Sequence, residues 1–160
     1  MEPELEARFC ELYQRYYFYI FKRTLLLVRA ESAARDLTDE VFYKVVCELE
    51  RGNRKVLDIR YLARMATNLC LDELRRQSAR KMIELQDELL YLDHTAETEA
   101  GLERGISLRR LFERLPPKLR AIAVYRLVDG YSLEEMVALC GLPKRTLQRR
   151  LRRILAILQA

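Results

Sequence analysis

The chain has 160 residues, with 29 Lys and Arg against 24 Asp and Glu, a net charge of +5, and hydrophobic residues making up 50%. That composition suits a globular chain of one domain or two small ones, and it excludes a disordered or low-complexity protein. No apolar run is long enough to span a membrane, and the start, MEPELEARF, is not a signal peptide, so an intracellular protein without membrane insertion is expected.

Only 5 Gly and 4 Pro punctuate the chain, and no stretch alternates apolar with polar residues. An all-α fold follows. A first helix is predicted over 5–29, apolar at Leu5, Phe9, Leu12, Tyr16, Ile20 and Phe21. Tyr13, Tyr16, Tyr17 and Tyr19 crowd it and read as core and rim aromatics. A second helix runs from about Ser32 to Glu50, burying Ala34, Leu37, Val41, Val45 and Leu49. Asp36, Asp39, Glu40 and Lys44 are left outside, an acidic face suited to a basic partner. The loop Arg51–Leu57 holds three cations, and Asp58 caps a third helix to about Ala79. Its inner face is Ile59, Leu62, Ala66, Leu69 and Cys70; its outer stripe is Arg60, Arg64, Asn68, Leu71 and Arg75, with Thr67 beside it. Arg and Asn on one helix face beside a basic loop make a candidate nucleic-acid surface.

Residues 81–105 are acidic and weakly periodic, and read as a linker with a short helix over 82–92. Ser107–Leu115 and Lys118–Val128 are predicted helices separated by Pro116-Pro117. Ser132 with Glu135 forms a capping box that opens a further helix, with Leu133, Met136, Val137 and Cys140 on its buried face. Gly141 ends it and Pro143 suits the start of the next. That last helix buries Leu147, Leu151, Ile154, Leu155 and Leu158, and turns Arg145, Arg149, Arg152 and Arg153 outward beside Thr146 and Gln148. No acid lies between Lys144 and Ala160. This is the layout of a helix-turn-helix with a basic reading helix, whose Arg forks pair with guanine edges and whose Gln pairs with adenine.

Charge follows the same division. The net charge is −3 over residues 1–50, +6 over 51–81, −6 over 82–105 and +8 over 106–160. Two basic blocks flanking an acidic one predict two nucleic-acid contacts joined by a linker that avoids DNA. Cys10, Cys47, Cys70 and Cys140 form no CxxC pair and fall on or beside apolar faces, so buried reduced thiols are expected. The one histidine, His94, has no second ligand at metal-site spacing, and neither a metal nor another cofactor is expected.

Three stretches carry a family resemblance: DLTDEVFYKVV (Asp36–Val46), YLARMATNLCLDELRR (Tyr61–Arg76) and Leu115–Arg153. In this order they resemble RNA polymerase sigma factors, specifically the extracytoplasmic-function (ECF) group that keeps regions 2 and 4 alone. The resemblance implies a region 2-like domain at 1–80, a linker at 81–105 and a region 4-like helix-turn-helix domain at 106–160. It implies a promoter-specificity factor that binds core RNA polymerase and recognises −10 and −35 elements in the bacterial cytoplasm, nucleoid-associated when active. Leu37, Thr38, Asp39, Glu40 and Phe42 match the part that packs internally and docks on polymerase, and Asp36, Leu37, Asp39, Glu40 and Lys44 are the implied docking residues. Asn53, Arg54 and Lys55 lie in the base-capturing loop; Arg60, Arg64, Asn68, Asp72, Arg75 and Arg76 lie on the −10 helix. Lys144, Arg145, Thr146, Gln148, Arg149, Arg150, Arg152 and Arg153 form the −35 helix. An anti-sigma factor is an implied partner. Where the family often has Trp, this chain has Val46 and Tyr61; where it has a small residue and a Ser, this chain has Arg145 and Arg149.

Two other classes compete with this reading. A sigma-like decoy that only binds an anti-sigma factor should lose its DNA-facing residues, whereas Arg abounds here. A dimeric helix-turn-helix repressor has no use for the second and third helices' pattern. An enzyme is disfavoured by one His, no Gly-rich loop and carboxylates on outer faces, and no small-molecule substrate is evident.

Overall fold

The computed structural model describes residues 2–53, 57–84 and 109–160. These are helical throughout, with no strand among them, and they divide into two compact units, Met1–Leu74 and Arg75–Ala160.

The first unit is built from α1 (Pro3–Val28), α2 (Glu31–Glu50) and most of α3 (Ile59–Glu84). Pro3 stands in the first turn of α1, where a missing N–H costs nothing. Arg29 ends that helix in the left-handed region at φ 66°, its N–H bonded to Leu25 O. α3 starts where Asp58 Oδ1 accepts the Tyr61 N–H at 2.8 Å, the cap expected from sequence. The core joins Leu12 and Ile20 of α1, Val41, Phe42, Val45 and Leu49 of α2, Leu57, and Leu62, Ala63 and Ala66 of α3. Around Phe42 stand Phe9, Tyr13 and Tyr17, with ring centroids 6.3, 5.0 and 5.7 Å away. Tyr13 and Tyr19 are exposed at the rim, and Tyr16 and Tyr17 are half-buried.

α3 runs to Glu84, past the end expected at Ala79. Nothing in SARKMIE breaks a helix, since it lacks Gly and Pro and is rich in strong formers. The remainder of the predicted 82–92 helix, His94 and the rest of the acidic stretch lie outside the described residues.

In the second unit, α4 is described over 109–113, and Pro116 and Pro117 separate it from α5 (Pro117–Ala123). The expected straight helix to Val128 instead widens over Val124–Val128, where Asp129 N–H reaches Val124 O at 3.0 Å. This five-residue bond is a π-type turn. Tyr131 N–H then bonds Tyr125 O, and the two rings meet edge to face at 5.8 Å. α6 (Leu133–Cys140) and α7 (Lys144–Gln159) complete the unit. Phe112, Leu115, Ile122, Val124, Met136, Leu147 and Ile154 form its core.

Candidate nucleic-acid interfaces

The second unit carries the helix-turn-helix. Ser132 Oγ accepts the Glu135 N–H at 3.2 Å and Glu135 Oε2 accepts the Ser132 N–H at 2.7 Å, so the capping box is complete. Gly141 sits at φ 63°, its N–H bonded to Val137 O, and the chain turns there into α7. Pro143 is the cap of α7, one residue before its first turn. Met136 and Leu147 are wholly buried and Ile154 nearly so, which fixes the rotation of α7 about its axis.

That rotation leaves Arg145, Gln148, Arg149, Arg152 and Arg153 exposed and Thr146 half-buried. At roughly 100° per residue, Arg145, Arg149 and Arg152 fall within about 60° of one another, opposite Leu147 and Ile154. Two expectations for this helix need correction. Leu155 is 47% exposed rather than buried, because it stands roughly 80° from Arg145, on the outer side. Arg150 is half-buried, roughly 140° from Arg145 on the inner side, close enough to Cys140 to act on its thiol. Burial pushes the Cys140 thiol up while the Arg150 charge pulls it down. Lys144 is engaged: its Nζ lies 2.7 Å from Glu134 Oε1 and clamps the start of α7 to α6. The hydrogen bond from Lys144 is the main reason that the Glu134 carboxyl is held below its ordinary range.

Helix α3 carries a second polar surface. On α3, Arg60, Arg64, Asn68 and Asp72 are exposed, and Arg75 and Arg76 are exposed further along the same helix. Leu71 is half-buried rather than fully outward, and Thr67, expected beside the outer stripe, is buried where it accepts from Arg23. In the preceding loop Glu48 receives both neighbours: Asn53 Nδ2 donates to Oε2 at 2.8 Å and Arg51 to Oε1 at 3.2 Å. Gly52 takes φ 79° to allow this turn. Arg54 and Lys55 lie outside the described residues.

Asp36, Asp39 and Glu40 are exposed on α2, but Leu37 is only 7% exposed and belongs to the core with Thr38 and Phe42. Leu37 is therefore withdrawn as a docking residue. Lys44 is half-buried, 3.7 Å from Glu40. Tyr17 Oη donates to Asp39 Oδ1 at 3.3 Å, and burial, then the Asp39 charge, raise the Tyr17 hydroxyl above its usual range.

A buried polar layer was not foreseen. Arg23 is 5% exposed and its Nε donates to Thr67 Oγ1 at 2.9 Å. Thr24 Oγ1 lies 3.0 Å from Thr38 Oγ1 and donates to Ala34 O at 3.1 Å. The signal was present: Ile20, Arg23, Thr24, Leu27 and Val28 follow one buried stripe at helical spacing. Among the cysteines, Cys70 is buried, Cys47 and Cys140 are half-buried, and Cys10 is exposed, so the expectation of four buried thiols fails at Cys10. Among the described residues no group of His, Cys, Asp and Glu could hold a metal, and no helix is long and apolar enough to cross a membrane.

Comparison with known proteins agrees with this geometry. Residues 106–158 match the family model "Sigma-70, region 4". The helix-turn-helix lies within that matched stretch. The chain is 27% identical over 146 residues to the ECF RNA polymerase sigma factor SigM of Mycobacterium tuberculosis, covering 89% of this chain and 70% of that protein. It is 27% identical over 150 residues to the ECF sigma factor SigE of Mycolicibacterium smegmatis, covering 89% of this chain and 57% of that protein. The fold is similar to that of the sigma factor RpoE of Bartonella quintana, crystallised with the anti-sigma factor NepR, at a TM-score of 0.65 and 16% identity over 95% of this chain and 94% of that one. Over 89% of its length the chain is thus similar to ECF RNA polymerase sigma factors, and its residues 106–158 match sigma-70 region 4.

Proposed function

We propose that this chain is a promoter-specificity factor that joins core RNA polymerase and directs transcription initiation through two separate DNA contacts. The observation that carries the reading is α7. It turns Arg145, Arg149 and Arg152 outward on a helix whose rotation is set by Leu147 and Ile154, inside the stretch that matches region 4. In this reading residues 106–160 hold duplex DNA at the −35 element. Residues 1–80 dock on polymerase through Asp36, Asp39 and Glu40 and stabilise the opened −10 region through the exposed face of α3. Residues 81–105 connect them. The work done is binding: captured bases offset lost stacking of roughly a few kcal/mol per step.

An anti-sigma partner is also proposed, because a protein of similar fold was crystallised with one. The decoy reading is disfavoured by the exposed Arg stripe, which a decoy does not need. The test is run-off transcription with purified core polymerase and mapping of start sites. New, position-specific starts are expected when the chain is added; an unchanged pattern refutes the function.

A further inference from the structure

The buried layer beneath α3 does something that a hydrophobic contact cannot. The inner face of α3 buries one large side chain, Leu62, beside the small Ala63, Ala66, Thr67 and Cys70. Where the side chains are small the helices can approach closely, and few protrusions lock rotation. Against it, α1 sets the Arg23 guanidinium, whose Nε donates at 2.9 Å to Thr67 Oγ1. Thr67 in turn donates to Ala63 O at 2.9 Å, so its hydroxyl is held in one rotamer and presents a lone pair to Arg23. The Arg23 charge also reaches Cys70, one turn further along the same face. Burying a guanidinium is costly, and a well-packed apolar side chain would stabilise such a core at least as well. What the apolar replacement lacks is direction.

We infer that Arg23, acting through Thr67, is a positioning residue that sets the rotation of α3 and thereby the aim of Asn68. Asn68 follows Thr67 in the chain and is exposed, as are Arg64 and Arg60 on the turns before it. A rotation of roughly 10° about the helix axis moves a side-chain atom at about 5–6 Å radius by about 1 Å. Displacements of that size are enough to lose a hydrogen bond to a base. The inference rests on the proposed use of this face at the −10 element. Arg23 touches no DNA in it.

The test uses holoenzyme reconstituted with the full chain. The readout is the ratio of initiation from a promoter to initiation from the same promoter with its −10 element scrambled, beside holoenzyme yield. Thr67→Val keeps the shape and removes the acceptor; Thr67→Ser keeps the hydroxyl; Asn68→Ala reports the face itself. Thr67→Val should lower the ratio about tenfold and Thr67→Ser should restore it to within about twofold, at equal holoenzyme yield. Arg23→Lys, which keeps the charge but not the Nε–H, should lower the ratio as Thr67→Val does, and serves if that variant fails to assemble. An unchanged ratio in Thr67→Val and Arg23→Lys, with a lowered one in Asn68→Ala, overturns the positioning role alone. An unchanged ratio in Asn68→Ala overturns the −10 assignment and the inference with it.

Discussion

At the scale of single residues, exposure decides which charges are available for recognition. Arg149 stands outward with no acid following it in the helix. If it forks onto a guanine, Arg149→Ala should cost about 1–3 kcal/mol at the promoters carrying that base and little elsewhere. If it meets phosphate, the loss should be uniform and the salt slope should fall by about one. Transcription from −35 variants at two salt concentrations separates the two. Cys70 gives a second prediction. Burial pushes its thiol up from 9.0 to about 12, against the pull of Arg23. The folded state therefore holds the proton after the unfolded chain has lost it. The stability associated with the neutral thiol is complete below about pH 9 and is lost as pH rises towards 12, at about 1.4 kcal/mol per unit. Denaturant midpoints of the wild type should fall more steeply above pH 9 than those of Cys70→Ala. Equal slopes would contradict the assigned burial.

At the scale of elements, the helix-turn-helix depends on one backbone conformation. Gly141 has φ 63°, and nothing lies within 4 Å of where a Cβ would stand, so a substitution there is opposed by backbone preference alone. Gly141→Ala should destabilise by about 1–2 kcal/mol, and Gly141→Asn by less, since Asn enters the left-handed region more readily. Thermal unfolding followed by circular dichroism measures both, and equal effects would argue for a steric cause. Ser132→Ala removes half of the capping box and should cost about 1 kcal/mol in the same assay. The capping box, the Gly turn and the Asp58 cap were all legible in the sequence because each is a local bond between residues a few positions apart. The π-type turn at Val124–Val128 was not, since Lys118–Val128 has no Gly or Pro to mark it. The end of α3 lies past Ala79 because helix propensity continues there with no Gly or Pro to stop it.

At the scale of the whole molecule, the proposal needs an acidic face that meets polymerase and basic faces that meet DNA. Asp39 is exposed and its carboxylate accepts a long bond from Tyr17 at 3.3 Å. Asp39→Arg should leave folding stability within about 0.5 kcal/mol, as is usual for surface changes, while impairing capture by core polymerase. Co-elution with core polymerase at several salt concentrations reads this, and wild-type holoenzyme formation would refute the docking assignment. The free chain should bind promoter DNA weakly, its acidic blocks opposing its basic ones, and electrophoretic retardation without polymerase tests that. Tight, sequence-specific retardation would contradict it.

The chain by itself determined the helical class, the order of the helices, the turn chemistry and the outward Arg stripe of α7. Periodicity and capping are local properties, and a stripe facing away from a core is defined by the core residues between which it is spaced. Tertiary structure decided the rest. It exposed Leu155, turned Arg150 inward and gave Lys144 and Asn53 their carboxylate partners. It also buried Arg23 against Thr67, 44 positions away. Which polar groups meet across a core depends on how helices pack, and no single helix's pattern contains that information.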